Sequence, residues 1–513
     1  MKKIVLLFFC SLIFTNILSA QKYIAPNGDD ANPGTLEQPW GSFPKAISEA
    51  MPGDTIFVRG GTYDLLNTIT ISATKSGTDS QLITLTAYHD EIPILDFLGQ
   101  SFGSKGISLR SNYWHIIGLQ IKGAGDNGME INFGFNNIIE RCAFYENRDS
   151  GLQLSNGSAD NRIINCDSYY NADPPDYADA DGFAPKLTVG SGNYFYGCRS
   201  WGNCDDGWDG YLRGANDITT TLENCWTWGN GYLKDGTDPG SQANGNGFKM
   251  GGGDNSNSQQ LMHHQILIKC VAFNNKNKGF DQNNNVGSMT LLNCTGYNNK
   301  TANYRIQRVL NPGQTLIVKS CVSFQGNVQL GSFAVQETNS WLPPFVVTSD
   351  DFLSLNSDLA SSPRQADGSL PKIEFLHLAP GSDLIDAGVD VGLPFNGKAP
   401  DLGAFESNQP SMVNVTEELI PELFHLEQNY PNPFNSTTTI GYQLHVAGDV
   451  RLNIFTTTGQ LVRTLISGNQ FPGAHAVVWD GRDNSGQIVS SGVYLYQLKI
   501  EDQVQTRKLI LVK

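Results

Sequence analysis

Four aspartates and a lysine fall at fixed places in a repeated phrase, and side chains of those types in one patch could hold a cation beside an ammonium group. The phrase is a polar residue, a glycine and an apolar residue: Ser150-Gly151-Leu152, Asp181-Gly182-Phe183, Asp206-Gly207-Trp208, Asn246-Gly247-Phe248 and Lys278-Gly279-Phe280. If each apolar residue points into a shared core, the polar residues stack on one another, which sets Asp181 against Asp206. Asp209, two places beyond Gly207, then shares a column with Lys249. Asp181, Asp205, Asp206 and Asp209 should therefore converge, with Lys249 beside them. Gathered carboxylates repel unless a cation sits among them, and an oxygen-only set suits Ca²⁺. An Asp-Asp-Gly turn read alone is a common solvated loop; four acids in register with a lysine point to a site.

The elements that must position these residues announce themselves in a second phrase. Cys142, Cys166, Cys198, Cys225, Cys270, Cys294 and Cys321 each have an apolar residue three places before, from Ile139 to Val318, and an aromatic three places after, from Tyr145 to Phe324. Five places after the first six stands Asn147, Asn171, Asn203, Asn230, Asn275 or Asn299. A period of roughly 24 to 32 residues with longer excursions marks a stacked solenoid, because one turn of short strands cannot bury its own apolar positions. The cysteines then read as small hydrophobes in a core ladder rather than disulfides. The asparagines are expected at bends, where left-handed backbone is tolerated. A leucine-rich repeat has a comparable period, but its Leu-x-x-Leu-x-Leu signature is missing. The fold class predicted is all-β: a right-handed parallel β-helix followed by a small antiparallel, Ig-like β-sandwich. A short helix capped by Ser42, with Ile47 and Ala50 against the first turn, should close one end. The segment from Ser382 to Glu406 should close the other.

Composition bounds the rest. The 513 residues carry a formal net charge of -16, so there is no basic surface to neutralise nucleic acid. Lys2 and Lys3, the apolar run Ile4 to Leu18 and Ser19-Ala20 read as a signal peptide over 1–20. No later stretch is apolar enough for a membrane span. The β-helix is expected over 21–406, a linker over 407–423 and a separate domain over 424–513. In that domain Val450, Leu452 and Ile454, and Tyr494, Tyr496, Leu498 and Ile500, alternate as half-buried strands do. A secreted or surface-attached monomer is expected.

Two regions of the chain carry family resemblances. DADGFAPKLTVGSGNYFYGCRSWGNCDDGWDGY at 179–211 and GNGFKMGG at 245–252 resemble polysaccharide lyase family nine, which includes β-helical pectate lyases. The resemblance implies an essential Ca²⁺ on Asp181, Asp205, Asp206 and Asp209, with Lys249 as the base. Pro185 and the long Leu233–Asn244 insertion depart from the family pattern and border the site. The implied reaction is β-elimination on 4-linked polygalacturonate, an acidic polysaccharide, with Lys249 taking the C5 proton and an alkaline optimum. Arg213 and Lys186 are candidate clamps for further substrate carboxylates, or else solvated surface cations. A lyase of another polyuronate, a glycosidase working through paired carboxylates and a non-catalytic glycan-binding solenoid are the alternatives. LEQNYPNPFNSTTTIGYQL at 426–444 and WDGRDNSGQIVSSGVYLYQL at 479–498 resemble the type A sorting domains of type IX secretion substrates, which implies that export machinery as a partner.

Overall fold

The computed structural model describes residues 21–253, 261–407 and 424–512, without 433, 445–447, 457–459, 471–472 and 501–502. The expected signal peptide, and the expected linker beyond Ser407, lie outside the described residues. The chain divides into two compact units, Met1–Ser411 and Met412–Lys513.

The first unit is a coil. Each turn contributes one short strand to each of three parallel sheets, of 12, 10 and 10 strands. One such turn runs through Ile138–Glu140 in sheet 1, Ala143–Tyr145 in sheet 2 and Leu152–Ser155 in sheet 3. The register keeps like on like. In sheet 3, Phe183, Trp208, Phe248, Phe280 and Tyr304 are Cα partners in successive turns and stack inward, buried. The residues that follow three of them, Asp209, Lys249 and Asp281, stand in the neighbouring column, so the sheet alternates between core and site.

Two ladders hold the turns together. All eight described cysteines are buried and free of disulfides. The seven of the repeat lie 3.4–3.7 Å from a main-chain carbonyl of the turn before. The asparagines bond to one another: each Nδ2 donates to the Oδ1 of the next, from Asn147 through Asn171, Asn203, Asn230 and Asn275 to Asn299, at 2.8–3.1 Å. Stacked turns satisfy these buried amides, each of which would cost about 1–3 kcal/mol if left unpaired. Left-handed backbone falls one place earlier than expected, at Glu146, Tyr170, Gly202, Gly229, Asn274 and Asn298. The chain reverses there, and the asparagine that follows is left to point along the axis.

The glycine of the first phrase has a steric cause. A Cβ on Gly207 would lie 2.0 Å from Thr227 Oγ1 and 2.6 Å from the carbonyl of Gly247 in the next turn. The main chain passes too close to the ladder for any side chain.

The helix Phe43–Glu49 is capped by Ser42, whose Oγ accepts from Lys45 N, and it buries Phe43, Ala46 and Ile47 in the coil's core. The far segment differs from expectation. Phe352, Phe375, Leu384 and Leu402 pack against Trp226, Val271, Phe273 and Val322, so this segment lies back along sheet 2 instead of closing the coil's end.

The second unit pairs a sheet of Phe424–Leu426, Thr438–Leu444 and Gly473–Trp479 with one of Leu461–Gln470, Gly448–Thr456, Gly492–Ile500 and Gln503–Leu511. The alternating residues named above are all buried, in one core with Ile440, Tyr442 and Trp479. Among the described residues no helix is long and apolar enough to cross a membrane.

Candidate active site

The site forms where the chain passes from sheet 2 into sheet 3. The polar column is as the repeat predicts: the amides of Gly151, Gly182 and Gly207 donate to the carbonyls of Asp181, Asp206 and Asn246 in the next turn. Asp181 and Asp206 are thus brought together, and Asp206 N donates to Asp181 Oδ1 at 3.2 Å. Asp209 pairs in register with Lys249.

Asp181, Asp205 and Asp206 are buried, each offering a carboxylate oxygen within 4.8 Å of the other two. Asn246 holds one side of Asp206, donating from its backbone N at 2.7 Å and from Nδ2 at 2.8 Å, both to Oδ1. Asp206 Oδ2 is buried and receives no well-directed hydrogen bond. Lys249 Nζ stands 3.1 Å from it and 3.4 Å from Asp209 Oδ1. Asn244, the last residue of the long insertion, donates its backbone N–H to Asp205 Oδ1 at 2.5 Å. The insertion therefore helps to build the site it borders.

Asp209 differs from the other three. It is not part of that close triad: its Oδ1 accepts from Tyr211 N at 2.9 Å, and it faces both lysines. Lys186 is not at the surface, being 5% exposed. Its ammonium donates to Asp181 Oδ2 at 2.7 Å and to the Asp179 carbonyl at 3.1 Å, with Asp209 Oδ2 at 3.8 Å. Pro185 accounts for this position. Proline has no N–H for the ladder and the strand ends there, with Lys186 N shared between the Ala184 carbonyl at 2.9 Å and the Leu154 carbonyl of the turn before at 3.3 Å. Arg213 is exposed, with its guanidinium 5.6 Å from the Tyr211 ring. Asp173, in the loop before Asp181, accepts from the backbone of Ala178, Asp179 and Ala180 and so pins that loop.

The electrostatics show too little positive charge. Burial pushes the Asp181 carboxyl well above the usual range; Lys186 opposes this, and Asp209 and Asp206 reinforce it. Burial and the neighbouring Asp206 do the same to Asp205, and Asp206 is raised by burial against the pull of Lys249. Burial disfavours the Lys249 ammonium, yet the four surrounding carboxylates outweigh it and hold its pKa well above the ordinary lysine value. Oxygen-only donors, a buried oxygen without a directed partner and uncompensated negative charge all fit a hard divalent cation.

One contributor escapes sequence reasoning. His263, on the neighbouring strand of sheet 1, is fully buried and held neutral by burial, its pKa lowered to about 4. Its Nδ1 lies 2.8 Å from the Gly210 carbonyl, which makes it the donor, and its Nε2 lies 2.8 Å from Thr220 Oγ1. It thereby fixes the bulge that follows Asp209. Gly251, at φ +100°, packs against the same histidine, where a Cβ would lie 2.6 Å from His263 Cβ.

Comparison with known proteins agrees with this architecture. Residues 22–323 match the family described as Pel9A-like, right handed beta helix region, and residues 431–503 match the FlgD Ig-like domain. The chain is 37% identical over 416 residues to a protein of Dickeya chrysanthemi named pectate lyase L, covering 78% of this chain and 94% of that one. A pectate lyase L of Paenibacillus polymyxa (strain SC2) is 39% identical over 401 residues, covering 74% and 86%. The crystal structure of pectate lyase Pel9A superposes with a TM-score of 0.70 at 36% identity, covering 77% of this chain and 98% of that one.

Proposed function

Since the chain belongs to the Pel9A-like right-handed β-helix family and is a polysaccharide lyase, we propose that it cleaves 4-linked polygalacturonate by calcium-dependent β-elimination, with Lys249 as the base. One observation carries the reading: an outward lysine stands 3.1 Å from a buried carboxylate of a three-acid cluster that fits a divalent cation. Asp181, Asp205 and Asp206 would hold the ion. When bound, Ca²⁺ supplies positive charge that offsets the substrate carboxylate, makes the C5 proton more acidic and favours the neutral form of Lys249.

Lys249 Nζ, once neutral, accepts the C5 proton. The electron pair left at C5 forms the C4–C5 double bond as the C4–O bond breaks, and the departing oxygen takes a proton from solvent. The product is an unsaturated uronide. Asp209, bonded to the backbone of Tyr211, keeps the Lys249 ammonium on the outward column of sheet 3.

A substrate panel tests the specificity. Unsaturated product should form fastest from polygalacturonate, more slowly from heavily methyl-esterified pectin and slowest from alginate. Faster release from alginate would reassign the substrate.

The second unit, we propose, is an export address read by type IX secretion machinery, supported by the sequence blocks within 424–513. Removal of residues 424–513 should leave lyase activity intact, because that unit has its own core. The shortened protein should stay inside its native host, and unchanged export would end the sorting role.

A further inference from the structure

We infer that Lys186 is an internal counter-cation of the acidic cluster, a positioning residue that competes with the divalent ion for Asp181 and thereby sets how tightly the ion binds. The inference rests on the calcium reading above and extends it to a residue with no part in the chemistry.

The geometry carries it. A lysine 5% exposed is an unusual occupant of a β-helix wall, and this one has its ammonium 2.7 Å from Asp181 Oδ2 and 3.8 Å from Asp209 Oδ2. It also donates to the Asp179 carbonyl at 3.1 Å, so the amine is fixed in place. Bonded to Asp181 and the Asp179 carbonyl, with its side chain 6% exposed, it is not placed to serve as a second base.

Charge counting gives it a purpose. Asp181, Asp205, Asp206 and Asp209 carry four negative charges when ionised, and Lys186 and Lys249 supply two positive ones. These four carboxylates outnumber the two ammoniums, a deficit that a divalent ion would relieve. Without Lys186, Asp181 would lie at 0% exposure with no cation within bonding distance, and the metal-free coil would have to bury an unpaired carboxylate or protonate it. With Lys186 present, the empty site is tolerable, and an arriving ion must share Asp181 with an ammonium that repels it.

The test is calcium binding by calorimetry and thermal unfolding with and without Ca²⁺, on the full chain at one alkaline pH. Lys186→Met should tighten Ca²⁺ binding by about tenfold or more, since one positive charge leaves the ion's immediate surroundings. It should also lower the unfolding temperature in chelator more than in Ca²⁺. Lys186→Arg, which keeps the charge, should bind Ca²⁺ as the unaltered protein does. Lys186→Gln supplies the binding measurement should the methionine variant fail to fold without metal. Weaker or unchanged Ca²⁺ binding in Lys186→Met and Lys186→Gln, with equal destabilisation in both conditions, would overturn the inference alone. Absence of saturable Ca²⁺ binding by the unaltered protein would overturn the calcium reading and this inference together.

Discussion

Lys249→Ala should lower kcat by about 10²–10⁴, the usual range for loss of a general base. Lys249 is the one lysine of the cluster placed to act. Lys186 is sealed beneath Asp181, whereas Lys249 lies on the outward column of sheet 3 with its side chain 12% exposed. Lys249→Arg should fare nearly as badly, because guanidinium stays protonated and cannot accept the C5 proton. The pH dependence follows from sign. The neutral amine is the active form; the surrounding carboxylates raise the Lys249 pKa in the metal-free site and bound Ca²⁺ opposes them, so the rate should climb with pH into the alkaline range. Both variants are best measured at saturating Ca²⁺, since removing the ammonium 3.1 Å from Asp206 also changes how the cation is held. Near-normal turnover by Lys249→Ala would leave the reaction without its base.

The contrast between the two lysines shows what the sequence could and could not disclose. The repeat fixes phase: the glycine and apolar residue of each copy place Asp181 over Asp206 and Asp209 beside Lys249, and the observed register agrees at each of those positions. That much is legible because a solenoid repeats its neighbours, so spacing along the chain becomes position along the axis. Asn246 was visible as a member of the same column, though its role in gripping Asp206 was not. Lys186 reads from sequence as a substrate clamp or a solvated surface cation, and its burial is not legible there because its place depends on Pro185 ending a strand, an event outside the repeat. His263 belongs to another sheet, 53 residues from the carbonyl it holds, and no phrase in the chain marks that contact. The segment from Ser382 to Glu406 reads from sequence as an end cap because apolar residues do not say which surface they will cover. It lies along sheet 2, where Phe405 packs edge-on to Trp226 and Leu384 and Leu402 join the same cluster.

Removing the metal should abolish activity altogether, a larger effect than loss of the base. Substrate carboxylate and site carboxylates carry the same sign, and without a divalent ion the substrate meets Asp181, Asp205, Asp206 and Asp209 as an anion meets anions. Asp206→Asn should reproduce the effect of chelation. Asp206 is the member of the triad whose Oδ1 is held by Asn246 and whose Oδ2 lacks a directed partner. The amide would keep the shape but lose the charge that draws the cation in. Mg²⁺ should replace Ca²⁺ poorly, because it prefers smaller and more regular shells than an asymmetric set of protein oxygens offers. The most direct measurement is the ultraviolet absorbance of unsaturated products released from polygalacturonate, recorded in chelator and again after Ca²⁺ is restored. The account predicts no rise in chelator and full recovery with Ca²⁺; an undiminished rate in protein shown to be metal-free by elemental analysis would contradict it.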